Sequence, residues 1–422
     1  MPWTPDEGDV LYGSRGEYEL LEYVDTGGFT TVFRSRERTN GDIVAVKYPN
    51  FSSVNENVDR NVEREVRTLR SIEAVGGHPS IMTLREHFVM RGTDILVVEF
   101  VDGTDLADSD QTESLETVRN IGLTVCDALS LLHANGLVYR DLSGGNLLLT
   151  PSHDPMLIDF NMVDRVTRCQ DCGALARAGA GRAESCPNCG SLFPETSCFS
   201  PTESSPYRAP EQFDVNFPIG PWMDVYAVGK LLYYLVEGYA RRGEGIDPTE
   251  DNEACPAYLG RIVERATATD PSDRYASAAH LGQALWECDP DPGPVAGVLE
   301  NARTGARSRV TDGTAIGRDG DTTGGTDDPP LLSDPPQTVS RHHLRIHREQ
   351  WCWRVEDTSR NGTYLRRNDQ YHSLGPAHPG ATDDAADRPP TSRTLHTGDV
   401  ISIVDPISGP TLRFATNEWG VR

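Results

Sequence analysis

The stretch Tyr139-Arg140-Asp141-Leu142-Ser143-Gly144-Gly145-Asn146, followed by Ile158-Asp159-Phe160-Asn161, decides the fold of this chain. It places an acid, an amide and a second acid (Asp141, Asn146 and Asp159) on two loops. The apolar residues between the loops, 147–149 and 156–158, predict two short strands joined by a turn at residues 152–155. A hairpin that fixes these three side chains suits a site that must hold magnesium and position a hydroxyl group.

Length and composition limit the classes of protein that this chain can form. With 422 residues, of which 37% are hydrophobic, the chain can bury more than one core. Length alone predicts about two or three domains. No apolar run approaches the roughly 20 residues that a membrane helix needs. The acidic residues 1–7 lack the apolar core of a secretory signal, so we expect a cytoplasmic protein.

Charge excludes some partners. The formal net charge is −25, which argues against binding to nucleic acid or to anionic membranes, because their phosphates attract lysine and arginine. Lys47 and Lys230 are the only lysines, whereas arginine is common. An acidic, lysine-poor composition is typical of proteins adapted to high salt, and we state halophilic character as a hypothesis from composition.

A lysine and a glutamate upstream of the hairpin form a candidate ion pair. Lys47 ends the apolar strand Ile43-Val44-Ala45-Val46-Lys47. Residues 57–73 predict a helix with Val62, Val66, Leu69 and Ile72 on one face. We expect Glu65 to be the partner of Lys47; Glu63 is the alternative, on a different face of the helix.

A glycine turn precedes this strand. Gly27 and Gly28 lie between two predicted strands, where backbone N–H groups can approach a phosphate closely. The alternative is an ordinary hairpin turn.

Two Cys-x-x-Cys pairs follow Asp159. Cys169 and Cys172 form the first pair, and Cys186 and Cys189 the second, among nine cysteines in the chain. Four thiolates at this spacing are typical of a closed, structural zinc ribbon, which we place at residues 165–200. Disulfides and free thiols are the alternatives. The surrounding residues are too small and polar to form a core, so zinc would supply the folding energy.

Several motifs in order resemble those of eukaryotic-like Ser/Thr protein kinases over roughly residues 15–288. Beside the opening stretch they are Val44-Ala45-Val46-Lys47, Tyr207-Arg208-Ala209-Pro210-Glu211, Asp224-Val225-Tyr226 and Asp270-Pro271-Ser272-Asp273-Arg274. The resemblance implies a bilobal kinase fold that transfers phosphate from ATP to Ser/Thr hydroxyls. It further implies that Asp224 braces the catalytic loop and that Arg274 pairs with Glu211.

The same resemblance implies roles for individual residues. Asp141 would accept the proton of the substrate hydroxyl, and Asn146 and Asp159 would hold Mg²⁺ or Mn²⁺. Lys47, positioned by Glu65, would contact the α- and β-phosphates of ATP. The nucleotide-binding residues would be Gly27, Gly28, Val32, Lys47, Glu99, Val101 and Asp105. Candidate autophosphorylation sites are Thr196, Ser197, Ser200 and Thr202, and Ser204 would contact Asp141.

Some positions depart from the kinase pattern. Ser143 stands where these kinases usually have a lysine, and no neighbouring residue in the sequence supplies a cation in its place. Asn161 replaces a glycine, Asp25 and Thr30 replace the outer glycines of the phosphate loop, and Tyr139 replaces a histidine. The alternative function is therefore a pseudokinase scaffold that binds phosphothreonine with little or no turnover. Phosphorylation of a small molecule is a third interpretation, disfavoured by the Ala-Pro-Glu motif.

The C-terminal part of the chain predicts a separate domain. Residues 289–297 have the composition of a linker, and short alternating strands after them predict an antiparallel sandwich. Arg318, Ser340, Arg341 and Asn361 offer the guanidinium, hydroxyl and amide donors that a phosphate dianion requires. Their motifs resemble a forkhead-associated (FHA) domain, a reader of phosphothreonine, over residues 298–418.

The sequence thus predicts an α+β multidomain chain: a loose tail at residues 1–14, a kinase domain at 15–288, a linker, and an all-β FHA sandwich. Loop insertions at 319–338 and 367–392 are expected to be disordered. The expected partners are protein substrates and phosphothreonine-containing proteins involved in signalling. They include the chain's own phosphorylated activation segment.

Overall fold

The computed structural model describes most of the chain in two compact units. The first contains residues 1–128, 137–256 and 263–274, and the second 129–136, 257–262 and 275–422. The described residues are 3–26, 30–50, 58–106, 112–172, 174–176, 186, 189–191, 193, 205–214, 216–293, 295–321, 331–332, 335–349, 352–367, 370–375 and 392–416. The phosphate-loop glycines Gly27 and Gly28, the candidate phosphorylation sites at 196–202, and Ser204 lie outside these residues.

The first unit begins with a six-stranded antiparallel sheet in the order β1-β2-β3-β4-β6-β5. Its strands are β1 (Val10–Tyr12), β2 (Glu17–Thr26), β3 (Thr30–Glu37), β4 (Ile43–Pro49), β5 (Leu84–Met90) and β6 (Thr93–Glu99). Helix α1 (Val58–Ala74) lies against β4, β5 and β6. Its four predicted core positions are all at most 4% exposed, as the helical spacing of these apolar residues predicts.

The N-terminal tail is the first correction to the sequence expectations. Residues 1–14 were expected to be loose, but β1 pairs with β2, and Leu11 is fully buried. Trp3 packs against the same core cluster, and its carbonyl accepts a hydrogen bond from Thr93 Oγ1 at 3.1 Å. A strand of three residues and a single tryptophan are too few to show a periodic pattern in the sequence.

The opening stretch lies between short strands and a long helix. Helix α2 (Leu115–Ala134) leads into β8 (Leu137–Val138), and a 3-10 turn, Gly144–Asn146, connects the catalytic loop to the predicted hairpin. The hairpin forms from β9 (Leu147–Leu149) and β10 (Pro155–Leu157), one residue earlier in its second strand than predicted. The strand β7 (Thr104–Asp105) pairs with β9, and β11 (Asp164–Arg165) pairs with β8.

A buried helix contacts the start of the catalytic loop. Helix α3 (Trp222–Glu237) is buried from Trp222 to Val236 and ends at Gly238, whose φ of 76° is the left-handed conformation that glycine adopts without strain. The chain continues through α4 (Ala257–Ala266) and α5 (Ala278–Glu287). Because α3 is surrounded by protein, it provides a rigid base for residues that contact it.

The second unit contains two antiparallel sheets, of six and five strands. Their orders are β13-β12-β22-β21-β18-β19 and β15-β14-β16-β17-β20. The strands are β12 (Gly297–Asn301), β13 (Arg307–Val310), β14 (Thr314–Gly317), β15 (Gly320–Asp321), β16 (Leu344–Glu349), β17 (Cys352–Asp357), β18 (Thr363–Arg367), β19 (Gln370–Leu374), β20 (Ser392–Leu395), β21 (Val400–Ile403) and β22 (Thr411–Ala415). Residues from both sheets form one buried cluster, as in a sandwich.

Parts of the predicted linker and of both loop insertions are ordered, while residues 322–330 and 376–391 of the insertions lie outside the described residues. Val295 and Ala296 are buried, and β12 begins at Gly297, so the linker at 289–297 is shorter than predicted. Within 319–338, Leu331 and Leu332 join the core of the sandwich. Within 367–392, Gln370–Leu374 forms a strand paired with β18. A few apolar residues in these acidic, proline-rich segments find buried positions that overall composition does not reveal.

Among the described residues, no helix is both long enough and apolar enough to cross a membrane.

Candidate active site

A buried ion pair joins the sheet to helix α1. Lys47 Nζ lies 2.6 Å from Glu65 Oε1, and the two side chains are 7% and 0% exposed. Burial alone would lower the pKa of Lys47, but the carboxylates of Glu65 and Asp159 raise it above its ordinary value, so the lysine stays charged. Of the two glutamates that the sequence offered, the structure brings Glu65 to the lysine.

The catalytic loop holds its acid and its amide together. Asn146 Nδ2 donates to Asp141 Oδ2 at 3.0 Å and to the Asp141 carbonyl at 2.8 Å. Since the amide nitrogen is engaged by Asp141, the amide oxygen Oδ1 is directed away from it. An oxygen in that position, together with the Asp159 carboxylate, is the kind of ligand set that Mg²⁺ prefers. The donor chemistry therefore fits the predicted metal.

Asp159 is oriented by its own loop. Both of its carboxylate oxygens accept hydrogen bonds at 3.0 Å from Asn161, one from the backbone N–H and one from the side-chain amide. Asn161, which replaces a glycine, thus adds a contact to the acid. The Phe160 ring packs edge-on against Tyr139 at 5.3 Å between centroids. As expected, an aromatic ring at 139 packs where the family pattern has histidine.

The carboxylate of Asp224 fixes the start of the catalytic loop. Fully buried at the first turn of α3, it accepts backbone N–H bonds from Tyr139 at 2.8 Å and from Arg140 at 2.7 Å. Arg140 has a φ of 69°, a left-handed conformation that is costly for a residue with a side chain. Its guanidinium pairs with Asp164 at 3.3 Å.

The described members of the predicted nucleotide-binding set lie on β3, β4, β6, β7 and the connection that follows β6. Val32 pairs with Lys47 across β3 and β4. Glu99 ends β6, Val101 follows it, and Asp105 lies in β7 opposite the hairpin. A Cβ at Gly103 would lie 2.8 Å from the Leu149 carbonyl oxygen, so the connection passes tightly over the hairpin. Glycine allows this close approach.

A second buried ion pair closes the segment after the cysteine insertion. Arg274 Nη1 and Nη2 donate to Glu211 Oε1 and Oε2 at 2.7 and 3.0 Å. The same guanidinium donates to the carbonyls of Ala268, Thr269 and Trp222. A bidentate pair in which every remaining N–H of the guanidinium is also hydrogen-bonded is the geometry in which burial of two charges is tolerated. This pair was expected from the motifs that contain it.

Arg208 contacts Asp141, and the sequence did not predict this contact. Arg208 Nη2 lies 2.7 Å from Asp141 Oδ1. Burial raises the pKa of Asp141, whereas Arg208 counters that rise. The arginine stands directly before Ala209-Pro210-Glu211 in the sequence, but nothing in the sequence pairs that position with Asp141.

The four predicted zinc ligands converge. The sulfur atoms of Cys169, Cys172, Cys186 and Cys189 all lie within 4.8 Å of one another. Two of the S···S distances are 3.3 and 3.6 Å, near the ~3.8 Å edge of a tetrahedron with Zn–S bonds of about 2.3 Å. Backbone bonds from Cys169 N to the Ala174 carbonyl and from Gly190 N to the Cys186 carbonyl shape the two knuckles. The thiol chemistry and the spacing fit zinc.

In the second unit, three loops bring the predicted phosphate-binding residues together. The Arg318 N–H donates to the Ser340 carbonyl at 2.9 Å, and Asn361 Nδ2 donates to the Thr338 carbonyl at 2.6 Å. Arg341 and Asn361 are exposed, and Ser340 is half-buried. The site is therefore a surface cluster of donors with two guanidinium groups.

A buried histidine ties these loops to each other. His343 accepts from the Ser340 N–H through Nδ1 at 3.1 Å, and its Nε2 lies 2.9 Å from the Gly362 carbonyl. Burial lowers the pKa of His343, so the neutral ring with its proton on Nε2 satisfies both contacts. At Gly317, a Cβ would lie 2.1 Å from the Arg341 carbonyl, which explains the need for glycine there. Both residues shape the loops.

These elements define the bilobal kinase class of fold, followed by a β-sandwich with phosphate-binding loops. Family models agree: the protein kinase domain matches residues 18–291, and the FHA domain matches residues 314–404. The chain belongs to the protein kinase family and carries an FHA domain.

Curated relatives are kinases by name, and two of the following three are named serine/threonine-protein kinases. The chain is 28% identical over 292 residues to serine/threonine-protein kinase PknK of Mycobacterium tuberculosis, covering 64% of this chain and 23% of that protein. It is 27% identical to CBL-interacting serine/threonine-protein kinase 21 of Arabidopsis thaliana, covering 62% and 55%. With maternal embryonic leucine zipper kinase of Danio rerio the identity is 26%, covering 65% and 35%. The match thus spans about a quarter to about half of each relative's length.

Breaking the Glu211–Arg274 pair should destabilise the first unit strongly. We expect Arg274→Met to lower the free energy of unfolding by about 3–5 kcal/mol, because it leaves a buried carboxylate uncompensated. The matched control is Arg241→Met, whose ion pair with Asp251 is 37% and 38% exposed and should contribute about 0–1 kcal/mol. Hydrogen exchange of the α3 amides under increasing denaturant measures the free energy of unfolding of both variants. Equal losses in Arg274→Met and Arg241→Met would contradict the account.

Proposed function

We propose that this protein is an ATP-dependent Ser/Thr protein kinase that uses Mg²⁺ or Mn²⁺. The observation that carries the proposal is the closed Lys47–Glu65 ion pair at 2.6 Å, in the same unit as Asp141, Asn146 and Asp159. A lysine held by a buried glutamate binds nucleotide phosphates without first having to be repositioned. The family membership and the named relatives support the same activity.

Each residue has a defined task in the proposed reaction. Lys47 binds the α- and β-phosphates, while Glu65 keeps its ammonium group in place. Asn146 and Asp159 hold the metal, which would neutralise charge on the phosphates. Asp141 accepts a hydrogen bond from the substrate hydroxyl and takes its proton as the oxygen attacks the γ-phosphorus.

The scaffold alternative is weakened by particular contacts. It rested on Ser143, Asn161 and the incomplete phosphate loop. Arg208 provides a cation at Asp141, and Asn161 keeps both oxygens of Asp159 hydrogen-bonded. These contacts lead us to favour turnover over the scaffold.

The FHA domain gives the protein a second phosphate-directed function. We propose that Arg318, Ser340 and Arg341 bind the phosphate of a phosphothreonine, and that Asn361 contacts the peptide backbone beside it. A kinase joined to such a reader experiences a raised effective concentration of phosphorylated partners. Those partners include phosphorylated substrate proteins and the activation segment of a second copy of this chain.

We propose a structural zinc ion in the insertion. The four cysteines leave no open ligand position. Among the described residues, the apolar cluster beside them adds Ala176, Phe193 and the partly buried Ala174. Metal binding would therefore supply the folding energy of this segment. All cysteines in the described part of the chain are free, which suits the reducing cytoplasm. The net charge of −25 disfavours nucleic acid as a partner.

Transfer of phosphate tests the proposed activity. We expect the purified full chain with Mg²⁺ and labelled ATP to phosphorylate itself or a Ser/Thr peptide library. Asp159→Ala should abolish incorporation, and Asp141→Asn should lower kcat by about 10²–10⁴ because the proton acceptor is lost. Absence of incorporation at low and at high salt would favour the scaffold.

Peptide binding tests the reader. We expect phosphothreonine peptides to bind and unphosphorylated peptides not to bind in calorimetric titrations. Arg318→Ala should weaken binding by about 10–100-fold, the value of a charge-assisted hydrogen bond. The control Arg345→Ala removes an exposed arginine of β16 in the same domain and should leave affinity unchanged. Binding that Arg318→Ala does not affect would exclude the assignment.

Elemental analysis tests the metal. We expect one zinc ion per chain, released in the double variant Cys169→Ser, Cys172→Ser and retained in Cys352→Ser, whose thiol lies in the second unit. If the ribbon supports the activation segment, the zinc-free variant should have altered kinase kinetics. Zinc-free wild-type protein would refute the site, and unaltered kinetics without zinc would refute its influence on activity.

A further inference from the structure

The kinase motifs assign no role to the guanidinium of Arg208, although it lies in the active site. Its Nη2 lies 2.7 Å from Asp141 Oδ1, and the two side chains are 14% and 20% exposed. The two residues are 67 positions apart in the chain. The bond is made by Nη2, one arm of the planar guanidinium fork.

The buried side-chain amide of Gln212 links the segment of Arg208 to the segment of Asp141. Gln212 Oε1 accepts the N–H of Ala209 at 3.0 Å, and Gln212 Nε2 donates to the carbonyl of Arg140 at 2.9 Å. The amide therefore links the residue after Arg208 to the residue before Asp141. Gln212 is 3% exposed, and its neighbour Glu211 is locked by Arg274. Arg208 is held at the reacting acid by the fold.

The other cations of the site are engaged elsewhere. Lys47 pairs with Glu65. Arg140, whose side chain is 1% exposed, pairs with Asp164. Ser143 occupies the position where the family pattern has lysine, and its hydroxyl makes no capping bond to the turn that follows it. Within the described residues, Arg208 is the cation that pairs with Asp141.

We propose that Arg208 supplies the positive charge beside Asp141 during phosphate transfer, in place of a lysine at position 143. The inference rests on the proposed kinase activity and assigns one further residue to it. Arg208 thus acts in the reaction through its contact with Asp141.

The charges during the reaction explain why a cation is needed at this point. The hydroxyl oxygen bonds to the γ-phosphorus, the bond from that phosphorus to ADP breaks with its electron pair remaining on ADP, and the proton passes to Asp141. Asp141 thereby becomes neutral while a phosphate dianion forms on the substrate oxygen. The guanidinium first balances the carboxylate and then balances the new phosphate, so positive charge stays at the reacting atoms throughout.

Moving the charge to position 143 provides the test. We expect Arg208→Gln to lower kcat by about 10²–10³ with little change in KM for Mg·ATP, since the nucleotide contacts remain. Ser143→Lys introduced into Arg208→Gln should restore most of the lost kcat. The control Arg261→Gln removes an exposed arginine of α4 and should leave kcat unchanged. Calorimetric titration with Mg·ATP shows that each variant has folded.

Three results would overturn the inference. The first is an Arg208→Gln enzyme with wild-type or raised kcat, because a raised value makes the contact a latch that restrains Asp141. The second is loss of kcat that Ser143→Lys does not restore, because a purely structural role cannot be rescued by a charge elsewhere. The third is inactive wild-type protein, which refutes the proposed kinase function itself.

If Arg208→Gln fails to fold, Arg208→Lys carries the test. A lysine keeps the charge but not the fork. The inference is supported if Arg208→Lys keeps part of the wild-type kcat and if adding Ser143→Lys raises that kcat. A folded Arg208→Lys enzyme that binds Mg·ATP but has no activity with either residue at 143 overturns it.

Discussion

The catalytic loop depends on one buried carboxylate. Asp224 accepts the two backbone N–H groups that begin the loop, at 2.8 and 2.7 Å, from the first turn of a helix that is itself surrounded by protein. These bonds offset the cost of the left-handed backbone at Arg140, whose φ is 69°. With Arg140 turned in this way, its guanidinium reaches Asp164, and Asp141 follows at the site with Asn146 beside it.

A second set of contacts brings the closing segment to that loop. The Glu211–Arg274 pair anchors the turn Pro210–Phe213 at the start of α3, where Arg274 also donates to the Trp222 carbonyl. The Gln212 amide joins the turn to the Arg140 carbonyl. The consequence is that Arg208 meets Asp141. Together with the closed Lys47–Glu65 pair, these contacts hold the acids and cations of the site in position. Such preorganisation is the main protein contribution to phosphoryl transfer.

The parts of the fold that follow from local patterns were predictable from the sequence. Helical spacing placed Glu65 toward Lys47, and apolar runs placed the hairpin within one residue. The four cysteines meet as their spacing implied. Contacts between distant residues with no shared motif were not predictable, and the Arg208–Asp141 pair is the clearest case. Composition also misled in the tail at 1–14 and around Leu331, where single apolar side chains reach a core.

The proposed activities share a chemical logic. The kinase site combines cations and acids to transfer a phosphate, whereas the FHA loops present arginines without a neighbouring acid in the predicted set, to hold a phosphate once it has been transferred. His343 fixes the second site as Asp224 fixes the first, by hydrogen bonds between a buried side chain and the loop backbone.

Rapid-quench analysis of a single turnover tests the central claim, that the first unit is assembled for phosphate transfer to a hydroxyl group. Excess full-length protein is mixed with Mg·[γ-³²P]ATP and a Ser/Thr peptide library, and labelled phosphopeptide and free phosphate are separated over time. The account predicts that label appears on serine or threonine faster than in free phosphate. Bound ATP that yields neither phosphopeptide nor phosphorylated protein would contradict it.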